Sequence, residues 1–348
     1  MDALPIEEAT KWQEGEDFGS KVPGVMHACG HDAHVSMLLG GIKLLLSRRH
    51  EWESKGGITF VFQPAEEGKG GAKRIISEGG LRGAQAVSGL HVWPGASSGT
   101  ITTRPGTLMA ASDRFAFTVI GKGGHGAIPN LANDPVVAAS AMVMALQPLV
   151  SRETSPTDGA VITVSRFNTG EGASNVIPDQ VEVQGTLRAL TPETFERLHR
   201  RLEQVVSQTA ATYGCKTSIV QWSPTPYPPT INDAGMVQMV LDVGQQLLDS
   251  HAACQATHTC SDATTPIGPV EVIDQPSMAA EDFSFYGERV PSVFTFLGIG
   301  NLKLGTDVSL HNSQFKMDER QMALGAALHA ATALEFLNRG DKHKTDEL

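Results

Sequence analysis

The stretch Met26-His27-Ala28-Cys29-Gly30-His31-Asp32-Ala33-His34 opens a segment whose apolar residues have helical spacing. A second stretch, Phe62-Gln63-Pro64-Ala65-Glu66-Glu67-Gly68, ends an apolar run of strand type. Together they place a thiol, several imidazoles and two adjacent carboxylates at the ends of predicted elements. Because these side chains bind catalytic divalent metal ions, the two stretches predict a metallohydrolase.

Helix and strand patterns alternate on either side of these stretches. The predicted elements are a helix over 33–48, a strand over 58–62, a helix over 70–78 and strands over 86–90 and 98–103. Such alternation is typical of an α/β domain with a mainly parallel sheet, in which ligands bind at the carboxyl ends of the strands. Glu66, Glu67 and His91 all follow predicted strands, so we expect them to converge.

A second block interrupts this domain. Its predicted elements are strand 114–121, helix 134–152, strand 160–168, strand 180–189, helix 192–213 and strand 216–222. This β-α-β-β-α-β order is the ferredoxin-like α+β arrangement. The proline-rich run 223–229 marks the return, and a helix over 233–249, a strand over 292–298 and a helix over 317–338 follow. The expected boundaries are 1–112 and 225–338 for the first domain, 113–224 for the inserted domain and 339–348 for a polar tail.

The composition fits an enzyme that acts on a small molecule. The 348 residues include 38 Asp and Glu against 27 Lys and Arg, a net charge of −11, and the longest basic cluster is Arg48-Arg49-His50. This balance argues against a nucleic-acid partner. The apolar segment 35–46 is interrupted by serine, glycine and lysine, which predicts an amphipathic helix in the core rather than a membrane span.

The four cysteines are too few and too scattered for a disulfide framework. Cys254 and Cys260 are close enough in sequence to pair in an oxidising compartment, but the sequence favours free thiols. Only Cys29 lies among side chains that bind metals.

The two ends of the chain give conflicting signals about its compartment. Met1 is followed directly by Asp-Ala-Leu-Pro-Ile, which lacks the charged and apolar regions of a secretory signal. The last residues, Lys344-Thr345-Asp346-Glu347-Leu348, are close to an endoplasmic-reticulum retention address. Either the tail is a solvated polar end and the protein is cytoplasmic, or an N-terminal segment is missing and the protein lies in the reticulum lumen.

Adjacent carboxylates can divide the chemistry of a metal site. Because Glu66 and Glu67 point in different directions, one can bind metal while the other acts as a general base. The other candidates are ambiguous one at a time: Cys29 and His31 alone fit a buried thiol beside a surface imidazole better than a metal site, whereas His91 and His311 fit structural histidines that cap carbonyls equally well. Four such signals at predicted sheet ends favour a metal site.

These motifs resemble the peptidase M20 family, in particular the amidohydrolase branch that contains IAA-amino-acid hydrolases and hippurate hydrolases. The similarity covers essentially the whole chain. Besides the two opening stretches, the motifs that carry it are Val22-Pro23-Gly24, Gly121-Lys122-Gly123-Gly124-His125, Asn175-Val176-Ile177-Pro178-Asp179, Gly185-Thr186-Leu187-Arg188 and Ala280-Glu281-Asp282-Phe283.

The resemblance implies a site with two divalent metal ions, Zn²⁺ or Mn²⁺, and a general base at Glu66. A soft thiolate ligand favours Zn²⁺, whereas the imidazoles and the carboxylate admit Mn²⁺ equally. The implied metal ligands are Cys29, His31, Glu67, His91 and His311.

The resemblance also implies that the inserted block is a lid or dimerisation domain, through which the chain forms a homodimer. His125 would stabilise the oxyanion, and Asn175 and Arg188 would hold the carboxylate of the substrate. Without the resemblance, His125 reads as a polar turn residue and Arg188 as a solvated strand residue.

The implied reaction is hydrolysis of the amide bond of N-acyl amino acids, with auxin (IAA) conjugates as the first candidates. The alternatives are N-acetyl or N-benzoyl amino acids and the substrates of aminoacylase-type peptidases. Relatives have a strand before the Met-Asp-Ala-Leu-Pro motif that begins this sequence, so an inactive metal-binding remnant is a further alternative. A binding module that holds a carboxylate ligand without catalysis is another.

Overall fold

The computed structural model describes residues 2–10, 18–257 and 267–345. The α-helices in these ranges are α1 His31–Ser47, α2 Glu66–Lys69, α3 Gly71–Ser77, α4 Pro135–Ser151, α5 Pro192–Thr212, α6 Ala234–Ala256, α7 Ser284–Gly287 and α8 Met322–Thr345. The strands are β1 Val87–Ser97, β2 Ile101–Thr103, β3 Gly106–Met109, β4 Ala111–Ile120, β5 Gly124–His125, β6 Ala160–Asn168, β7 Val176–Ile177, β8 Gln180–Ala189, β9 Lys216–Thr217, β10 Gln221–Trp222, β11 Thr230–Asn232, β12 Val270–Val272 and β13 Ser292–Gly300.

The chain forms two compact units. Unit 1 comprises Met1–Leu108, Ile231–Gln275 and Phe285–Leu348, and unit 2 comprises Met109–Thr230 and Pro276–Ser284. The short segment Pro276–Ser284 groups with unit 2 because Ala110 N–H donates to the carbonyls of Ser277 and Ala279 at 3.0 and 2.9 Å. The sequence places this segment in the first domain.

Unit 1 is built on a four-stranded sheet in the order β1-β13-β2-β12. The pairs β1/β13 and β12/β2 are parallel and the pair β13/β2 is antiparallel. The mainly parallel sheet of an α/β domain is therefore confirmed. Its core joins Val92, Ile101 and Leu297 from the strands to Val240 of α6 and Leu328 of α8.

The predicted strand over 58–62 is wrong, because this segment pairs with no strand in the described ranges. Ile58 and Phe60 instead pack against Leu45 of α1 and against Ala330 and Leu334 of α8. Helices thus cover the alternating apolar residues of this segment. An alternating pattern indicates that one face is buried, but it does not indicate whether a neighbouring strand is present to pair with the segment.

Unit 2 contains an antiparallel sheet in the order β10-β4-β8-β6, and α4 and α5 contribute to its core. The ferredoxin-like arrangement predicted for the inserted block is confirmed. The last strand differs, since residues 216–222 form two short pieces, β9 and β10, that both pair with β4.

The helices α4 and α5 of unit 2 each begin at a polar N-cap residue that is followed by proline. Asp134 accepts hydrogen bonds from the N–H groups of Val136 and Val137, with Pro135 in the first turn. Thr191 accepts one from Thr194 N–H, with Pro192 in the first turn. A polar cap followed by proline is a strong start for a helix, since the cap satisfies orphan N–H groups and proline presets the backbone.

The preference for free thiols is wrong for Cys254, which is disulfide-bonded, while Cys260 lies outside the described residues. Cys29 and Cys215 are buried thiols that form no disulfide. In the part of the chain that the structure describes, no helix combines the length and the apolar character that a membrane crossing requires. Residues 346–348, which carry most of the retention-like tail, lie outside the described ranges.

Candidate metal centre and active site

The loop before α1 turns at Gly30, and this turn places the first candidate ligands. Gly30 has φ 78° and precedes the first helical residue, His31. A Cβ atom at Gly30 would lie 2.5 Å from Cγ2 of Val92. Because positive φ and this close approach both require glycine, Cys29 is held in the interior and His31 at the mouth of the helix.

Cys29, His31 and His91 offer ligand atoms that all lie within 4.8 Å of one another. Sγ of Cys29 is 3.5 Å from Nε2 of His91, which lies near the middle of β1. Nδ1 of His91 donates to the carbonyl of Val92 at 2.6 Å. Burial lowers the pKa of His91 to about 4. A neutral imidazole with its proton on Nδ1 presents a lone pair on Nε2, as a metal ligand must.

A second group shares Cys29 with the first. Cys29, Glu67 and His311 again place their ligand atoms within 4.8 Å, as do His31, Glu66 and Glu67. Nε2 of His311 is 3.1 Å from Oε1 of Glu67. Burial opposes the charge of Glu67, but His311 outweighs it and lowers the pKa of this carboxyl. In return, Glu67 raises the pKa of His311.

The two non-glycine residues found with clearly positive φ in the described ranges both belong to this site. Ala65, directly before Glu66, and His311 each have φ 60°. For such residues the left-handed region costs about 1–2 kcal/mol, and strain of this kind concentrates at functional sites. The amide of His311 donates to the carbonyl of Ala28 at 2.8 Å, which ties it to the Cys29 loop.

These donors fit two divalent cations. The two groups are adjacent and have Cys29 in common, and a thiol, imidazoles and carboxylates are the ligands that such ions take from proteins. Oε1 of Glu67 is buried and has no well-aligned hydrogen bond in the described part of the chain, although His311 is near it. A buried carboxylate oxygen without such a bond is costly unless a cation neutralises it.

Asp2 and His34 support the site, and the sequence analysis missed the role of both. Oδ2 of Asp2 accepts a hydrogen bond from the N–H of Glu67 at 2.8 Å and lies 3.9 Å from Nδ1 of His31. Nε2 of His34 accepts from the N–H of Val92 at 3.0 Å, next to His91. The Met-Asp-Ala-Leu-Pro motif and the His31-x-x-His34 spacing were the available signals. Neither motif shows that Asp2 contacts Glu67 or that His34 contacts Val92, because these partners are distant in the sequence.

The candidate site residues of unit 2 lie at two separate places in that unit. His125 on β5 pairs with Val176 on β7, and the N–H of Gly126 donates to the carbonyl of Asn175 at 2.8 Å, so His125 and Asn175 are neighbours. Arg188 lies on β8 and donates to the carbonyl of Met278 at 2.7 Å. Burial and the nearby charge of Arg114 lower the pKa of Arg188.

His125 is oriented by the turn that follows it. Its Nδ1 accepts a hydrogen bond from the N–H of Ala127 at 3.0 Å. In the neutral ring the proton is then on Nε2, so the exposed side of His125 presents a hydrogen-bond donor.

Comparisons with known proteins identify the family of this chain. The sequence matches the family Peptidase family M20/M25/M40 over residues 1–335. It is 41% identical over 339 residues to IAA-amino acid hydrolase ILR1-like 4 of Arabidopsis thaliana, covering 97% of this chain and 71% of that protein. It is 36% identical over 348 residues to N-acetyl-L-cysteine deacetylase of Bacillus subtilis, covering 100% of this chain and 75% of that protein.

A solved structure shows the same fold. The crystal structure of the Bacillus subtilis YXEP protein, a dinuclear metal-binding peptidase from the M20 family, superposes with a TM-score of 0.75 at 30% identity. The superposition covers 97% of this chain and 80% of that one. The resemblance noted in the motifs is confirmed, and the chain belongs to peptidase family M20/M25/M40, a family of hydrolytic enzymes.

Proposed function

We propose that this protein hydrolyses the amide bond of N-acyl amino acids, with IAA-amino acid conjugates as the first substrate class. The observation that carries the proposal is the pair of ligand groups that share Cys29, with the second carboxylate, Glu66, beside them. The relatives named above support the amide chemistry.

In this proposal five residues of unit 1 hold two divalent cations. When bound, the cations polarise the scissile carbonyl and lower the pKa of water. Their identity is either Mn²⁺ or Zn²⁺, since the thiolate of Cys29 favours Zn²⁺ and the other donors admit both. The proposed ligands are Cys29, His31, Glu67, His91 and His311.

Glu66 is the proposed general base. It is half-buried, and one of its oxygens lies within 4.8 Å of ligand atoms of His31 and Glu67. A carboxylate at this distance can accept the proton of the attacking water and return it to the leaving amine. Glu67, whose amide is fixed by Asp2, is the partner that binds metal.

Unit 2 is the proposed lid and dimerisation domain. The Nε2–H donor of His125 is suited to stabilise the tetrahedral oxyanion. Asn175 neighbours it through the β5/β7 pair, and the guanidinium of Arg188 is suited to bind the carboxylate of the amino acid.

Two features support a proposal for the compartment. Cys254 is disulfide-bonded, and structural disulfides persist in oxidising compartments. The chain also ends in Thr-Asp-Glu-Leu. We propose that the protein resides in the lumen of the endoplasmic reticulum.

The second candidate function is removal of an acetyl group from N-acetyl amino acids, which the 36% identity to N-acetyl-L-cysteine deacetylase favours. The deciding experiment strips the protein of metal, restores Mn²⁺ or Zn²⁺ and measures hydrolysis of IAA-alanine, N-acetylcysteine and a dipeptide. We expect turnover to require metal and to be fastest for IAA-alanine. A fully loaded protein that hydrolyses none of them would be the inactive remnant, and activity that survives complete metal removal would overturn the mechanism.

A further inference from the structure

Unit 2 contains a buried polar cluster that the proposed reaction does not use. Asp113 on β4 is only 2% exposed. One of its oxygens, Oδ1, accepts hydrogen bonds from the N–H groups of Arg114 and Ser223 at 2.7 and 3.1 Å and from the hydroxyl of Ser223. The other, Oδ2, faces Nε2 of His199 at 2.9 Å.

Both ring nitrogens of His199 face atoms that can only accept. Nε2 faces the carboxylate of Asp113, and Nδ1 faces the carbonyl of Phe195 at 2.8 Å. A neutral imidazole has one N–H group and can satisfy only one of these acceptors, whereas imidazolium satisfies both. The geometry therefore selects the charged form.

Two aromatic rings pack against His199. Its ring centroid lies 4.0 Å from that of Trp222, with the planes tilted by 47°, and 4.5 Å from that of Phe195, with the planes nearly perpendicular. The titratable groups that face His199 are Asp113 from β4 and Glu203 from its own helix, and both are acidic.

The serine in the cluster is not an activated nucleophile. Its hydroxyl donates to Asp113 rather than to His199, so the imidazole is not positioned to accept its proton. A hydrolytic triad requires the serine to bond the imidazole, and the cluster is therefore structural.

The cluster ties together the two ends of the main segment of unit 2. Asp113 lies near the start of β4, where the chain enters the unit, and Ser223 follows β10, shortly before the chain leaves it. Next to the cluster, Ser112 and Tyr227 exchange two backbone hydrogen bonds of 2.9 Å.

We propose that His199 is a proton-operated clamp, which in its charged form fastens α5 to Asp113, the residue that joins the entry and exit segments of unit 2, and on deprotonation weakens this contact. Burial opposes the charge, but the hydrogen bonds to Asp113 and Phe195 outweigh it and raise the pKa of His199. Since the folded pKa is raised above the unfolded one, the stabilisation is complete below the ordinary histidine range and is lost as pH rises through the raised pKa.

The test compares the full-length protein with His199→Gln and with the control His50→Gln, whose side chain is 78% exposed. Hydrogen exchange at the amides of Ser112 and Tyr227, corrected for the intrinsic rate, is measured on both sides of the histidine range, and the His199 ring is titrated by NMR. We expect protection of these amides to fall about tenfold in the wild type and in the control as His199 loses its proton, the equivalent of one hydrogen bond to a charged group.

In His199→Gln these amides should exchange fast at every pH. The proposal is overturned if His199 titrates at or below the ordinary histidine value, or if protection in the wild type does not change with pH. Either measurement tests the proposal even if His199→Gln fails to fold, because both are made on the wild-type protein.

Discussion

His91 in unit 1 and His199 in unit 2 show two environments of an imidazole, one suited to a metal ligand and the other to a cation. Nδ1 of each ring faces a backbone carbonyl, that of Val92 or Phe195. The second nitrogen faces the thiol of Cys29 in the first case and the carboxylate of Asp113 in the second. Burial lowers the pKa of His91 to about 4, whereas in His199 the hydrogen bonds to Asp113 and Phe195 outweigh burial and raise the pKa.

The difference teaches that the atom opposite the second nitrogen decides the role of the ring. In unit 1 the lone pair is kept available among other donors, which is the condition for binding a cation. In unit 2 both nitrogens face acceptors, so the protonated ring has no lone pair to offer a cation. We therefore expect substitutions around His91 to affect chemistry and metal binding, and substitutions around His199 to affect stability.

The largest effect is expected from Glu66→Gln. The amide is nearly isosteric but cannot accept a proton, so hydrolysis should fall by about two to four orders of magnitude while metal content stays intact. Turnover is measured with saturating metal, and metal content by elemental analysis.

Glu78→Gln is the control for Glu66→Gln, since this exposed carboxylate pairs only with Arg74 among the described contacts. Glu78→Gln should change neither turnover nor metal content. If Glu66→Gln loses metal, or keeps near-wild-type turnover, Glu66 is not the base.

The next largest effect is expected from His125→Ala in unit 2. Loss of an oxyanion donor should lower turnover by about two to three orders of magnitude, with substrate binding largely kept. Steady-state kinetics separate the two quantities, and His50→Ala supplies the control. A drop in metal content would show that His125 is a ligand, and the contrast between the two units would then fail.

The sequence predicted the ligand candidates and most elements because both are encoded locally. Cys29 and His31 are two positions apart, Glu66 and Glu67 are adjacent, and the alternating strands of unit 2 each bury one face. The predictions that failed depend on distant partners. Whether 58–62 forms a strand depends on a neighbour in space, and the pairing of Cys254 depends on how the end of α6 is placed.

The supporting residues were missed for the same physical reason. Asp2 acts on Glu67 across 65 positions, and His199 meets Asp113 across 86. No periodicity or short motif specifies such contacts, because they arise only when separate elements pack together. The family resemblance implied the proposed ligand set but not the residues that orient it.

An intermediate effect is expected from Asp2→Asn. The amide can still accept from the N–H of Glu67, but it carries no charge to orient His31. Loss of such an outer partner typically weakens metal binding by about 10–100-fold. Competition with a chromophoric chelator measures the affinity. Glu7→Gln, another acidic residue near the N-terminus that accepts a backbone hydrogen bond, is the control, and equal affinities for the two variants would remove Asp2 from the site.

The smallest effect is expected from His199→Gln on the free energy of unfolding. At about pH 5.5, below the ordinary histidine range, the variant should be less stable by roughly 1.5 kcal/mol, the lower end for a hydrogen bond to a charged group. At about pH 8.5 the difference should shrink, because a raised folded pKa stabilises only the protonated state. Urea unfolding at both values, followed by far-UV circular dichroism, measures it. A deficit that grew with pH instead would mean that His199 is buried neutral like His91, and the distinction between the two rings would be lost.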